Sequence, residues 1–186
     1  MKLMIALILT VLTLPAHANI ARFSQVTKQI FRGGQPDTRA EYDFLKSNGI
    51  KTIINLRNDG EYEKSIAQQY GFGFKWFPMS AYQAPSQQMV EAALTAMNDP
   101  ALQPVFVHCL HGKDRTGMMI AIHRVVYQRW PQRAAYNEMI SFGFNRAFAP
   151  LLYTFYKWTG NAMLADFLFR VRRSLNLPAA QAAAGN

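Results

Sequence analysis

Cysteine is nearly absent from this chain of 186 residues: Cys109 is the single one. No intramolecular disulfide can form, so stability rests on packing, and the lone thiol needs its own explanation. Acidic residues are scarce too, 11 against 20 lysines and arginines, for a formal net charge of +9. That balance suits anionic partners, yet nucleic acid, an anionic membrane surface and small polyphosphates satisfy it equally. Long apolar runs are missing. The one sustained stretch, residues 3–14, is well short of the roughly 20 apolar residues that a spanning helix needs. Lys2 precedes it, Pro15 follows, and Ala16-His17-Ala18 offers small residues for cleavage, so residues 1–18 read as an export signal. A periplasmic or secreted protein is expected. No internal repeat interrupts the remainder, and half of all residues are hydrophobic. One domain over 19–177 with a frayed Ala-rich tail over 178–186 follows.

From residue 30 onward, β-rich runs alternate with helical ones. A strand is predicted over 29–32, then a Gly33-Gly34 turn and a helix entered at Asp37 or Thr38. Asp37 is the candidate cap, Ala40, Phe44 and Leu45 share a face, and Gly49 is the stop. Strands are predicted at 50–56 and 73–79, and helices at 59–70, closed by Gly71, and 86–97, capped by Ser86. The run Val105-Phe106-Val107 reads as a buried central strand, followed by a tight loop and a helix over 116–130. Further helical stretches cover 132–142 and 147–175, the latter interrupted at Thr159-Gly160. This order predicts an α/β fold with a central, largely parallel sheet flanked by helices. Ligands of such sheets bind beyond the carboxyl ends of the strands, which is where the segment after Val107 lies. Arg170, Arg172 and Arg173 beside Phe167, Leu168 and Phe169 offer a peripheral contact to an anionic membrane; a core-packed last helix with a solvated basic rim is the other reading.

Between that strand and that helix runs His108-Cys109-Leu110-His111-Gly112-Lys113-Asp114-Arg115-Thr116-Gly117, with five residues separating a thiol from a guanidinium. Backbone N–H groups of a loop curled around a tetrahedral anion all point inward, and the following helix adds its positive N-terminus. Gly112 eases the turn, and Arg115 grips two phosphate oxygens at once. The same field lowers the pKa of the thiol from about 8.5 toward roughly 3.5–7.5, which makes Cys109 a nucleophile for phosphorus. A metal site of His108, Cys109 and His111 lacks a further ligand cluster, so neither metal nor other cofactor is expected.

The loop matches the Cys-x5-Arg-Ser/Thr signature of the protein tyrosine phosphatase superfamily, including the preceding His108 and the following Thr116-Gly117. Weaker similarity runs from about residue 30 to 144, where Phe31-Arg32-Gly33-Gly34-Gln35-Pro36 and Ile53-Ile54-Asn55-Leu56-Arg57 resemble the opening turns of compact dual-specificity enzymes. The resemblance implies a dual-specificity-phosphatase-like fold with extra C-terminal helices. It implies Cys109 as nucleophile, Arg115 as binder of the phosphate and transition state, and Thr116 as a hydroxyl assisting the thiolate and the second step. His108 would orient the loop, and Leu110, His111, Gly112 and Lys113 would complete the substrate-binding cradle.

Family members commonly supply an aspartate from an upstream loop as general acid, but residues 75–97 contain no Asp and only Glu91. Asp114 is the replacement, resembling myotubularin-type lipid phosphatases. The alternative leaves Asp114 in ion pairs and takes the proton from Asp59 or Glu61. The Gly112-Lys113-x-Arg115-Thr116 form resembles inositol-polyphosphate and phosphoinositide phosphatases, with Lys113 and His111 holding neighbouring phosphates. Such phosphorylated small molecules or lipid headgroups are the expected substrates. Phosphotyrosine or dual-specificity protein dephosphorylation is the alternative, a non-catalytic phosphate-binding module a third reading, and nucleic acid is not an expected partner.

Overall fold

The computed structural model describes residues 19–160. In chain order they form β1 (Ser24–Gln25), β2 (Ile30–Gly33), α1 (Arg39–Ser47), β3 (Thr52–Arg57), α2 (Glu63–Gln69), β4 (Gly73–Met79), α3 (Gln87–Asn98), β5 (Val105–His108), α4 (Arg115–Val126), α5 (Gln132–Ser141) and α6 (Ala149–Trp158). The sheet runs β1-β2-β5-β3-β4. β2, β5, β3 and β4 are parallel, and only the edge strand β1 is antiparallel to its neighbour. The expected α/β architecture is therefore present, with β1 as an addition that its two polar residues gave no periodicity to reveal.

A parallel sheet of this kind is covered on both faces, and alternate residues divide between the layers. Ile30, Ile54, Leu56, Val105 and Val107 pack against residues of α3, α4, α5 and α6, including Val90, Met118, Met139 and Phe155. Phe31, Ile53 and Phe106 face the other way, onto Tyr42 and Leu45 of α1 and Ala67 of α2. Each fully buried side chain of this size contributes about 1.5–3 kcal/mol. Helix α4 is enclosed from Thr116 to Arg124. Gly117 permits that enclosure, since a Cβ there would lie 3.3 Å from Met139 Cγ of α5.

Local signals set some boundaries differently from the sequence reading. The α1 cap is Thr38, not Asp37: its hydroxyl accepts from the Glu41 N–H while the Glu41 carboxylate accepts from the Thr38 N–H. Of the face assigned to α1, Leu45 is buried, Ala40 and Phe44 are only partly so, and Tyr42 completes it. α2 starts at Glu63 rather than at 59, because residues 58–62 form turns in which Gly60 packs against the Asn55 side chain. α4 ends at Val126, short of 130, and Arg129 has a φ of 59°. α6 stops before Gly160, whose φ is 98°. The export signal, the basic cluster at 170–173 and the tail all lie outside the described residues. Among the described residues no helix is long and apolar enough to cross a membrane.

Candidate active site

Strand β5 is the middle strand of the sheet and α4 begins at Arg115, so residues 109–114 form a loop at the carboxyl end of the sheet against a helix N-terminus. Cys109 is 2% exposed. Burial pushes its thiol pKa up, but the Arg115 charge, the Thr116 hydroxyl and the backbone N–H groups of Thr116 and Gly112 outweigh it, so the net shift is downward. The buried Thr116 Oγ1 has no other partner among the described residues that would draw it away from the thiolate it helps to stabilise. Gly112 has a φ of +70°, and a Cβ there would come within 2.5 Å of Gly33 O and Gly34 N. Only glycine fits on both counts.

Arg115 is anchored from one side. Its Nη1 donates to Met79 O at 3.2 Å and to Asn58 Oδ1 at 3.3 Å. Its buried Nε has no partner, and Nη2 makes no hydrogen bond among the described residues. Asp114 is 7% exposed and its Oδ1 accepts from the Asn145 N–H at 2.8 Å. Burial raises its pKa against the opposing effects of that N–H, Lys113, Arg115 and His111.

Asn58, Ser80, Ala81, Tyr82, Leu110, His111, Asp114, Arg115 and Phe148 line an opening of about 140 Å³ beside the loop. The Tyr82 and Phe148 rings meet edge-to-face with centroids 5.5 Å apart, and Leu110 is 42% exposed. Thus Leu110, His111, Asp114 and Arg115 line one opening together, whereas Lys113 is not among the lining residues. Asn58, Tyr82 and Phe148 were not singled out in the sequence, because each arrives from a different loop.

Behind Cys109 lies a second group, of which the sequence pointed only to His108. His108 is fully buried, with Nδ1 3.2 Å from Cys109 O and Nε2 3.0 Å from Glu63 Oε2. Glu63, also fully buried, accepts from Tyr42 Oη at 3.1 Å and Asn55 Nδ2 at 2.5 Å. Burial raises the Glu63 pKa, but His108, Tyr42 and Asn55 more than offset it and the carboxyl stays below its usual range. The other candidate acids lie elsewhere: Asp59 pairs with Arg57 at 2.6 Å, and Glu61 is exposed. Neither is in the opening.

Known proteins resemble this chain in sequence and in fold. A family described as DSP-PTPase phosphatase fused to NAD+ kinase matches residues 7–147. The dual specificity protein phosphatase TpbA of Pseudomonas aeruginosa is 49% identical over 120 residues, covering 64% of this chain and 54% of that protein. Inositol diphosphatase DSP4 of Arabidopsis thaliana is 29% identical over 131 residues, covering 67% of this chain and 65% of its own length. The chain thus spans less than two thirds of either relative. Among solved structures, the catalytic core of the S. cerevisiae PP-IP phosphatase SIW14 superposes with a TM-score of 0.63 at 24% identity, covering 84% of this chain and 94% of that one. P. aeruginosa TpbA in complex with pTyr gives 0.63 at 21%, covering 77% and 90%. The chain belongs to this DSP-PTPase family, within the protein tyrosine and dual-specificity phosphatase superfamily.

Proposed function

We propose that the protein hydrolyses phosphate monoesters through a cysteinyl-phosphate, with the Cys109 thiolate as nucleophile. The observation that carries this is the state of Arg115: Nη1 is tied back to Met79 and Asn58 while Nε, buried, has no partner among the described residues. A guanidinium edge with a buried, unpaired Nε beside a stabilised thiolate is suited to two oxygens of a phosphate. The thiolate attacks phosphorus, the S–P bond forms as the P–O ester bond breaks, and the leaving oxygen takes a proton from Asp114. Water then attacks the phosphorus, Asp114 takes back a proton, and the S–P bond breaks with the Thr116 hydroxyl supporting the departing thiolate. Cys109→Ser protein that turns over substrate near the wild-type rate would exclude this route.

For the substrate, the opening supports an aryl monoester, as in phosphotyrosine, ahead of the inositol polyphosphates expected from the loop sequence. Tyr82, Phe148 and Leu110 supply an apolar wall for a ring. Burial, then the neighbouring Lys113, holds the His111 pKa below its usual value, so among the described residues Arg115 is the one full cation lining the opening at neutral pH. A monoester needs one such cation, whereas a polyphosphate rewards several. The 49% identity to TpbA is consistent with this reading. The inositol reading keeps its own support in the relatives named inositol diphosphatases. Comparing kcat/KM for a phosphotyrosine peptide and for inositol polyphosphates and diphosphates distinguishes the two. Tyr82→Ala should lower only the former, and the reverse ranking would favour inositol substrates. We also read residues 1–18 as an export signal, which N-terminal sequencing of protein from fractionated cells would test.

A further inference from the structure

A loop whose N–H groups converge must send its carbonyls outward, and here each carbonyl from Cys109 to Asp114 has its own partner. Cys109 O faces His108 Nδ1 at 3.2 Å. Leu110 O accepts from the Gln35 N–H at 3.1 Å, and Lys113 O and Asp114 O accept from Gly117 and Met118 at 3.1 and 2.8 Å. The two at the apex are held by side chains from far away in the chain: His111 O by Arg22 Nη1 at 3.1 Å and Gly112 O by Arg32 Nη2 at 2.8 Å.

We propose that Arg22 and Arg32 are positioning residues of the phosphate cradle, each pinning one carbonyl outward and so turning the next residue's N–H inward. In a planar trans peptide the C=O of one residue and the N–H of the next point in opposite directions. Arg22 on His111 O therefore aims the Gly112 N–H, the group that stabilises the Cys109 thiolate. Arg32 on Gly112 O aims the Lys113 N–H by the same geometry. Both arginines also reach Phe142 at the end of α5: Arg22 Nε donates to its carbonyl at 2.9 Å, and the Arg32 guanidinium lies 3.7 Å over its ring. Arg32 is 1% exposed and its Nε and Nη1 have no hydrogen-bond partner among the described residues. Burial lowers its pKa to about 10, so it remains charged at neutral pH. A buried cation retained with two unmet donors points to a role other than stability. The Phe31-Arg32-Gly33-Gly34-Gln35-Pro36 motif gains a purpose: Arg32 and Gln35 hold loop carbonyls, and Gly34 leaves room for the loop backbone, since a Cβ there would lie 3.2 Å from Leu110 O and 3.3 Å from the His111 carbonyl carbon.

This rests on the cysteine mechanism proposed above, so the test reads both. Cys109 alkylation by iodoacetamide is followed against pH, with inorganic phosphate as competitor, alongside kcat for p-nitrophenyl phosphate and the melting temperature. Wild-type alkylation that persists well below the usual thiol range and is blocked by phosphate supports the mechanism; its failure overturns that reading rather than this one. Arg22 is exposed, so Arg22→Ala should fold. It is expected to raise the alkylation midpoint by about one pH unit and to weaken phosphate inhibition about tenfold, the effect of one misdirected hydrogen bond to a charged group. Arg22→Lys should not restore either value, because an ammonium cannot hold two carbonyls in the planar fork. Arg32→Met should weaken phosphate inhibition by a similar factor. If that variant does not fold, Arg32→Lys, which keeps the charge and loses the fork, decides for Arg32. Midpoints and inhibition within about twofold of wild type in folded variants, a change far below that of one hydrogen bond, would overturn the inference.

Discussion

Replacing Asp114 by asparagine removes the oxygen proposed to carry the proton and little else. Asp114 Oδ1 accepts from the Asn145 N–H at 2.8 Å, a bond the amide oxygen of asparagine keeps, and Oδ2 has no hydrogen-bond partner among the described residues. The architecture should therefore survive, and the loss should report chemistry. General acid catalysis typically supplies about 100-fold or more, which is about 2.7 kcal/mol of barrier. The assay compares kcat/KM for phenyl phosphate and p-nitrophenyl phosphate, which share a shape. The nitro-substituted phenolate departs with little help, so Asp114→Asn should lose about 100-fold on phenyl phosphate and far less on its nitro analogue. The pH profile supplies a second readout. The Asp114 pKa is raised, so its acid form is present below that value and lost as pH rises through it; the Cys109 pKa is lowered, so the thiolate appears above its own. Wild type should show a rising limb from Cys109 and a falling limb from Asp114, and the asparagine variant only the first. Equal losses on both esters with an unchanged falling limb would refute the assignment of Asp114.

Cys109→Ser should abolish turnover while the loop still binds inorganic phosphate, measured by titration calorimetry; loss of binding together with turnover would mean that the sulfur also holds the loop together. Gly112→Ala should destabilise by about 1–3 kcal/mol from its left-handed backbone alone, with more from the overlap against Gly33 and Gly34. A thermal melt unchanged from wild type would contradict that packing. Glu63 has a folded pKa below its ordinary value, so its ionised form stabilises the fold above the unfolded carboxylate range, and that contribution is lost as pH falls through the folded value. Urea unfolding at neutral and acid pH should therefore show Glu63→Gln less stable at neutrality by about 1–3 kcal/mol, with a flatter acid dependence than wild type; parallel pH curves would remove Glu63 from the linkage.

What the sequence determined by itself is local. Val105-Phe106-Val107 is a run that only a strand covered on both faces accommodates, and the spacing of Cys109, Gly112, Arg115 and Thr116 is a contiguous stretch whose backbone must curl onto a helix start. Gly112 was legible for the same reason, since its constraint is a φ of its own residue. The structure alone decided which distant side chains serve that loop. Sheet order sets β2 and β3 on either side of β5, and no periodicity records that order. It delivers Arg32 to Gly112 O, Asn55 and Glu63 to the space behind His108, and Asn58 to Arg115. Which loop side chains line the opening was equally hidden, because adjacent residues on a tight turn diverge: His111 lines it, while Lys113 lies beside Gly143 instead. Local backbone preference fixes the cradle, and only packing between elements far apart in the chain decides what surrounds it.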